Sequence, residues 1–117
     1  MMVVAGAIAD GEGRWLLQRR PLDKHHGGLW EFPGGKVEAN ESPRAALVRE
    51  LLEELAITVD PATLVPAGFA DGAGEGGAGS LVILLYKVAA WSGTPAPCEE
   101  GSAIGWFTRN EFDDLPR

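Results

Sequence analysis

Short apolar runs separated by polar, glycine-rich turns dominate the pattern along this chain. Residues 3–8 are apolar, residues 10–13 are turn-forming Asp, Glu and Gly, and residues 14–20 resume an extended pattern, which predicts a first hairpin. Further strands are predicted at residues 29–32, 36–38, 81–88 and 104–107, and β-prone residues occur at 57–59 and 64–65. Residues 21–28 and the glycine-rich residues 71–79 are predicted to be loops.

One uninterrupted helical pattern lies among these strands. Ser42 followed by Pro43 is a typical helix start, and residues 44–55 contain no helix breaker. On a helical projection, one broad arc carries the apolar residues Leu47, Val48, Leu51, Leu52 and Leu55, which predicts the core face. Thr108 and Glu111 have the spacing of a capping box and predict a last helical turn. Strands on both sides of one central helix indicate the α+β class.

The composition is that of one ordinary globular domain. The chain has 117 residues, of which 45% are hydrophobic and 23% charged, and its mean hydropathy is −0.02, so a single domain over residues 1–117 is expected. The longest apolar run, residues 81–85, is too short to span a bilayer, and the N-terminus lacks the basic segment of a signal peptide. We therefore expect a cytoplasmic protein with no membrane partner. Cys98 is the single cysteine, which excludes an intramolecular disulfide and a cysteine-based zinc cluster.

The charge balance restricts the partners further. Ten basic and 17 acidic residues give a net charge of −7, which argues against polymeric nucleic acid as a partner because binding a long polyanion requires a positive surplus. A small anion held through a divalent metal remains compatible with an acidic protein, because the metal supplies the positive charge.

The acidic residues of the predicted helix are the first candidate chemistry. Glu50, Glu53 and Glu54 stand at positions i, i+3 and i+4 and therefore share one stripe, where like charges repel. One interpretation is a solvated acidic face. The other is a metal platform, since Mg²⁺ and Mn²⁺ prefer carboxylate oxygens and Mg²⁺ is bound by one or two carboxylates, waters and substrate phosphates. The neighbouring acids Glu38 and Glu41 and the lack of lysine in the helix favour the metal platform.

The same residues resemble the Nudix box, the signature motif of the Nudix family. Gly35 is followed after five residues by Glu41, and after seven more by residues 49–57, which read Arg-Glu-Leu-Leu-Glu-Glu-Leu-Ala-Ile. The one departure is Ala56, where the family has Gly. A glycine there suits a left-handed helix end, and alanine in that geometry costs about 1 kcal/mol.

The resemblance continues outside the box, from residue 3 to about residue 116. Residues 28–38 look like the MutT-type branch, the nucleoside triphosphate pyrophosphohydrolases that remove damaged or surplus nucleotides. The fold implied is an αβα sandwich around a mixed β-sheet. The family usually has one more helix after residues 113–116, so the C-terminal helix is expected to be truncated or absent here.

The resemblance also implies a metal site. Glu53 and Glu54 correspond to the principal metal ligands, together with the backbone carbonyl of Gly34. Glu50 corresponds to a residue that binds metal or activates the attacking water. Glu100 lies where MutT-type members place a further acid, as metal ligand or base, although Glu99 is adjacent to it.

The remaining implied roles concern catalysis and substrate. Glu50 and Glu53 are the implied catalytic carboxylates, with Arg49 orienting a glutamate and Glu41 supporting that network. The substrate-binding residues implied are Arg20, Phe32, Gly35 and Lys36. From the residues alone, Arg20 is as compatible with a structural salt bridge, and Phe32 with core packing.

The activity implied is Mg²⁺-dependent hydrolysis of a nucleoside triphosphate to a monophosphate and pyrophosphate, with Mn²⁺ as a substitute metal. A nucleotide-pool sanitising enzyme acting on 8-oxo-dGTP is the first expectation. The chain ends at Arg117, before the Asn that MutT-type enzymes use for the oxidised base would occur, so a (d)CTP or modified-pyrimidine pyrophosphatase is the alternative. A non-catalytic nucleotide-sensing domain is the third hypothesis. The expected partner is a small nucleotide, and the chain is expected to be a monomer or a homodimer.

Overall fold

The computed structural model describes residues 1–23, 27–73 and 79–116. Seven strands run in chain order, β1 Met2–Ile8, β2 Arg14–Arg19, β3 Trp30–Glu31, β4 Gly34–Lys36, β5 Val65–Ala73, β6 Ser80–Val88 and β7 Ala103–Thr108. The helices are α1 Pro43–Leu55 and α2 Arg109–Asp113, with a 3-10 turn at Pro61–Thr63. Parts of the two predicted loops, residues 24–26 and 74–78, lie outside the described residues. The α+β class is confirmed.

The strands form two sheets. A four-stranded mixed sheet has the order β4-β1-β6-β5, with β1 and β6 parallel, and a three-stranded antiparallel sheet has the order β3-β2-β7. The predicted first hairpin is confirmed only at its turn, where Ala9 and Trp15 form an antiparallel bridge and the Asp10 N–H donates to the Arg14 carbonyl, because β1 and β2 then belong to different sheets. The physical reason is that β1 lies inside its sheet and has both edges occupied by β4 and β6, which leaves β2 to pair with β7.

Other predicted strands have different bounds in the structure. The strand expected at residues 36–38 is β4, which begins at Gly34 because the two glycines pair closely with β1. Residues 57–59 contribute only a bridge between Thr58 and Ser92. Part of the glycine-rich segment expected as a loop is instead the end of β5, which pairs with β6 although all its residues are exposed. Pairing with a strong neighbouring strand overrides the low β-propensity of Gly and Ala.

Helix α1 begins as predicted. The Ser42 hydroxyl accepts a hydrogen bond from the Ala45 N–H at 3.1 Å, and Pro43 occupies the first turn, where a missing N–H is harmless. The buried face consists of Ala46, Leu47, Leu51 and Leu55. Leu52, expected on that face, is 53% exposed, because it lies at the edge of the arc, beyond the reach of the sheet.

The helix packs on β1 and β4, and this contact positions the acidic stripe. Gly6 of β1 lies beneath the helix, where an added Cβ would come within 3.5 Å of the Leu47 side chain. At the far end of the chain the predicted capping box is confirmed, since the Thr108 N–H donates to Glu111 Oε1 at 2.9 Å and the Glu111 N–H donates to the Thr108 hydroxyl. Within the described residues, no helix has the length and apolar character needed to cross a membrane.

Candidate active site

The acidic stripe of α1 faces the glycines of β4. The Gly34 N–H donates to Glu54 Oε2 at 3.3 Å, which joins the helix to the strand. The Glu50 carboxylate lies against Gly35, where an added Cβ would be 2.5 Å from its carboxylate carbon. Gly35 is therefore required for close approach, because any larger residue would displace the Glu50 carboxylate. A Cβ at Gly34 would likewise collide with the Val4 carbonyl of β1.

Arg49 neutralises one side of the stripe. Its guanidinium contacts Glu41 twice, at 2.8 Å through Nε and 3.0 Å through Nη2, and Glu50 Oε1 at 2.9 Å through Nη1. It also reaches Glu53 Oε2 at 3.4 Å and donates to the Lys36 carbonyl. These charge-assisted bonds, together with the Glu38 N–H, lower the pKa of Glu41 to about 2. Arg49 and Glu41 therefore occupy the positions expected for a network that orients glutamates.

Glu54 has the opposite environment. Burial, followed by the negative charge of nearby Glu50, raises the pKa of Glu54 to about 8, and only the Gly34 N–H opposes this. Glu31 adds a smaller repulsion. Two adjoining carboxylates, one of them held neutral near pH 7, form a site that a cation would stabilise.

A cleft of about 200 Å³ opens beside Glu54. It is lined by Gln18, Arg20, Pro21, Glu31, Gly34, Glu54 and Glu99. Glu100, the predicted further acid, lines a wider depression with Leu22 and Asp23, and Glu99 lines both that depression and the cleft that contains Glu54. Glu99 is held in a turn in which its carbonyl accepts from both the N–H and the hydroxyl of Ser102.

The predicted substrate residues have separate positions. Arg20 lines the cleft, and its Nη1 is 3.3 Å from Glu31 Oε1. Lys36 is exposed at the end of β4. Phe32 stacks on Phe112 with ring centroids 5.7 Å apart and meets Trp15 edge to face, contacts that pack α2 onto the sheet. Contact of Phe32 with a base stays a prediction.

Besides Pro21, three polar residues of the cleft were not predicted from the sequence as site residues, namely Gln18, Glu31 and Glu99. The alternation of β2 could have indicated Gln18, because alternate strand residues share a face and Arg20 was already a candidate. Glu31 pairs with Gln18 across β2 and β3, which depends on strand register. No local signal distinguishes Glu99 from Glu100.

The comparisons with known proteins agree with this geometry. The family described as NUDIX domain matches residues 1–117. The chain belongs to the Nudix family. Both the family and the fold implied by the resemblance are thereby confirmed, with the mixed sheet and two helices described above.

Relatives within the Nudix family carry two kinds of name. An "8-oxo-dGTP diphosphatase" of Proteus vulgaris is 51% identical over 63 residues, which cover 54% of this chain and 56% of that protein. A "CTP pyrophosphohydrolase" of Escherichia coli (strain K12) is 56% identical over 57 residues, covering 49% of this chain and 42% of that protein. The matched segments thus span about half the length of these curated relatives.

A solved Nudix structure covers almost the whole chain. The "MutT NUDIX hydrolase" of Burkholderia pseudomallei has a TM-score of 0.81 and 32% identity, and the match covers 99% of this chain and 86% of that one.

The donor set fits the divalent metal that the Nudix family implies. Among residues 1–23, 27–73 and 79–116, no three acidic, His or Cys side chains are grouped so as to enclose an ion by themselves. Mg²⁺ does not require such a cage, because it retains waters and takes substrate phosphates beside one or two carboxylates. The Glu50 and Glu54 carboxylates provide that pair, and burial together with the charge of Glu50 raises the pKa of Glu54, which a nearby cation would reverse.

Proposed function

We propose that this chain is a metal-dependent nucleoside triphosphate pyrophosphohydrolase. The observation that carries the proposal is the mostly buried Glu54 carboxylate, which lies near Glu50 and lines a cleft that also contains Arg20. A polyphosphate with a divalent cation supplies the positive charge that these carboxylates lack, and Arg20 adds a cationic contact for an anionic ligand. Membership of the Nudix family supports the same activity.

The reaction proposed is attack of water on phosphorus with cleavage of the phosphoanhydride bond, which yields a nucleoside monophosphate and pyrophosphate. Glu53, Glu54 and the Gly34 carbonyl would hold Mg²⁺, or Mn²⁺ in its place, with Glu50 as a further ligand or the base. The ion supplies charge neutralisation and a lowered pKa for water. Arg49 fixes the Glu50 carboxylate by its 2.9 Å contact and is itself fixed by Glu41.

We propose 8-oxo-dGTP as the first substrate and CTP or dCTP as the alternative. Relatives named for each activity support both, and the relative named CTP pyrophosphohydrolase is the more similar over its matched segment, at 56% against 51% identity. Glu100 stays proposed as a further metal ligand, and the lining of the cleft by Glu99 together with Glu54 makes Glu99 the alternative.

The test is a pyrophosphate-release assay with Mg²⁺ on 8-oxo-dGTP, dGTP, CTP and dCTP. We expect turnover of at least one of them, lost in Glu53→Gln. The matched control is Glu12→Gln, which removes a carboxylate that is 75% exposed in a turn distant from the cleft, and should retain full activity.

The panel also separates the hypotheses. Preference for 8-oxo-dGTP assigns a sanitising role, whereas preference for a cytidine nucleotide assigns the alternative. Binding of nucleotide without turnover by the wild-type protein would contradict the proposed function and support a sensing domain.

A further inference from the structure

Gln18 is a buried polar residue whose side chain has no assigned role. It lies in β2, is only 5% exposed, and lines the cleft beside Glu54. No hydrogen bond of its carboxamide occurs within the described residues, and the amide is not among the enclosed polar atoms without a partner, so it opens on the cleft. A polar group that opens on a cleft without a protein partner is available to a ligand or a bound water.

Packing alone does not explain a glutamine here. The two preceding residues of β2, Leu16 and Leu17, are completely buried, so the strand already carries apolar side chains on both faces. A methionine of similar length would fill the same space without a polar atom. The polar end of Gln18 is therefore not required for packing and is available to a ligand in the cleft.

The donors and acceptors around the cleft indicate the ligand group. Glu31, Glu54 and Glu99 offer acceptors when ionised. The Gly34 N–H already donates to Glu54, and the Arg20 guanidinium is engaged with Glu31. The amide N–H groups of Gln18 are therefore donors that remain uncommitted at the cleft wall.

We propose that Gln18 is a substrate-binding residue whose amide N–H donates a hydrogen bond to a phosphate oxygen of the bound polyphosphate. This inference rests on the proposed function, because it requires a polyphosphate in this cleft. Phosphate oxygens are acceptors only, so they are complementary to the amide N–H and not to the neighbouring carboxylates.

The experiment compares wild type, Gln18→Met and Gln18→Glu with the matched control Leu17→Met, which makes a buried substitution on the opposite face of β2. The probe is inorganic triphosphate with Mg²⁺, and its Kd is measured by calorimetry. The Tm of each variant is measured without ligand. KM and kcat are measured with the nucleotide that wild type hydrolyses.

For Gln18→Met we expect a Kd and KM about 10-fold higher, a kcat within a factor of about three, and a Tm within about 2 °C of wild type. The unchanged Tm follows because the amide makes no hydrogen bond within the described residues, whereas an amide that supported the fold would lower the Tm when removed. Gln18→Glu should weaken triphosphate binding more, by about 100-fold, because it replaces the donor with an anion. Leu17→Met should bind triphosphate as wild type does.

Each outcome is decisive. If wild type neither binds triphosphate nor hydrolyses any nucleotide, the proposed function fails and this inference fails with it. If wild type is active and Gln18→Met binds triphosphate equally well, only the role of Gln18 is overturned. A lower Tm with unchanged Kd in Gln18→Met would show that the amide is structural and would also overturn it. Should Gln18→Met not fold, Gln18→Glu provides the same comparison of Kd.

Discussion

Two neighbouring regions of this protein place carboxylates in opposite electrostatic environments. In the Arg49 network, a guanidinium meets Glu41 and Glu50 at hydrogen-bond distance. In the cleft one turn further along α1, the Glu54 carboxylate lies near Glu50 and Glu31 and accepts a long hydrogen bond of 3.3 Å from the Gly34 N–H. Both regions use glutamates of the Nudix box, yet one is electrostatically complete and the other is not.

The difference separates a supporting structure from a binding site. The pKa of Glu41 is about 2 because Arg49 stabilises its ionised form, whereas the pKa of Glu54 is about 8 because burial and Glu50 destabilise it. Groups strained in the free protein are those that gain most from a ligand.

The largest expected effect is a loss of turnover when Glu54, the carboxylate without a cation beside it, is replaced. Glu54→Gln removes the proposed ligand and should lower turnover by about 1000-fold, within the range for loss of a catalytic group. The same variant should be more stable than wild type at pH 8 without metal, because it no longer buries an unpaired carboxylate. Activity by pyrophosphate release and Tm by calorimetry check both. A less stable, fully active Glu54→Gln protein would contradict the contrast.

The Arg49 network should respond in the opposite sense. Arg49→Met leaves Glu41 and Glu50 without their cation, and since the Arg49 side chain is only 25% exposed, we expect a loss of about 2 kcal/mol in the free energy of unfolding. Urea denaturation measures this loss. The control Arg109→Met removes an exposed ion pair with Asp113 and should change stability by less than about 0.5 kcal/mol. Equal losses of stability in Arg49→Met and Arg109→Met would contradict the difference between the partly buried network and an exposed ion pair.

The pH dependence of stability sharpens the comparison further. Because the pKa of Glu54 is about 8 in the folded state and near 4.5 when unfolded, the folded state binds more protons between these values. Stability of the metal-free protein should therefore fall from about pH 5 to pH 8, by about 1–2 kcal/mol after allowance for solvent screening. In Glu54→Gln, the free energy of unfolding should no longer fall between pH 5 and pH 8. If it still falls in that variant, another titrating group causes the pH dependence.

The smallest effect is expected at the end of the helix, outside both regions. Ala56 has φ 60°, and its N–H donates to the Leu52 carbonyl at 3.1 Å, a left-handed helix end that glycine adopts without a Cβ penalty. Ala56→Gly should raise the free energy of unfolding by about 0.5–1 kcal/mol and leave kcat unchanged. A change in kcat would mean that the helix end is coupled to the cleft.

Much of the fold was available from local patterns. The Ser42 cap, the length of α1 and the Thr108 capping box each depend on residues within four positions of one another, and all three are confirmed. The first hairpin does not extend beyond its turn, because strand partners are chosen by long-range pairing. The full length of β5 was not predicted, because its exposed Gly and Ala residues have low β-propensity and extend only by pairing with β6.

The sequence by itself determined the family, the helix and the stripe of Glu50, Glu53 and Glu54, since these follow from a short motif and the helical period. Only the tertiary structure decided which carboxylates of the site have a cation beside them. Arg49 contacts Glu41, which lies eight positions earlier in the sequence. Gln18 of β2, in the three-stranded sheet, lines the same cleft as Glu54 of α1. Burial and distance set the charge state of a carboxylate, and both depend on how the helix packs against the strands.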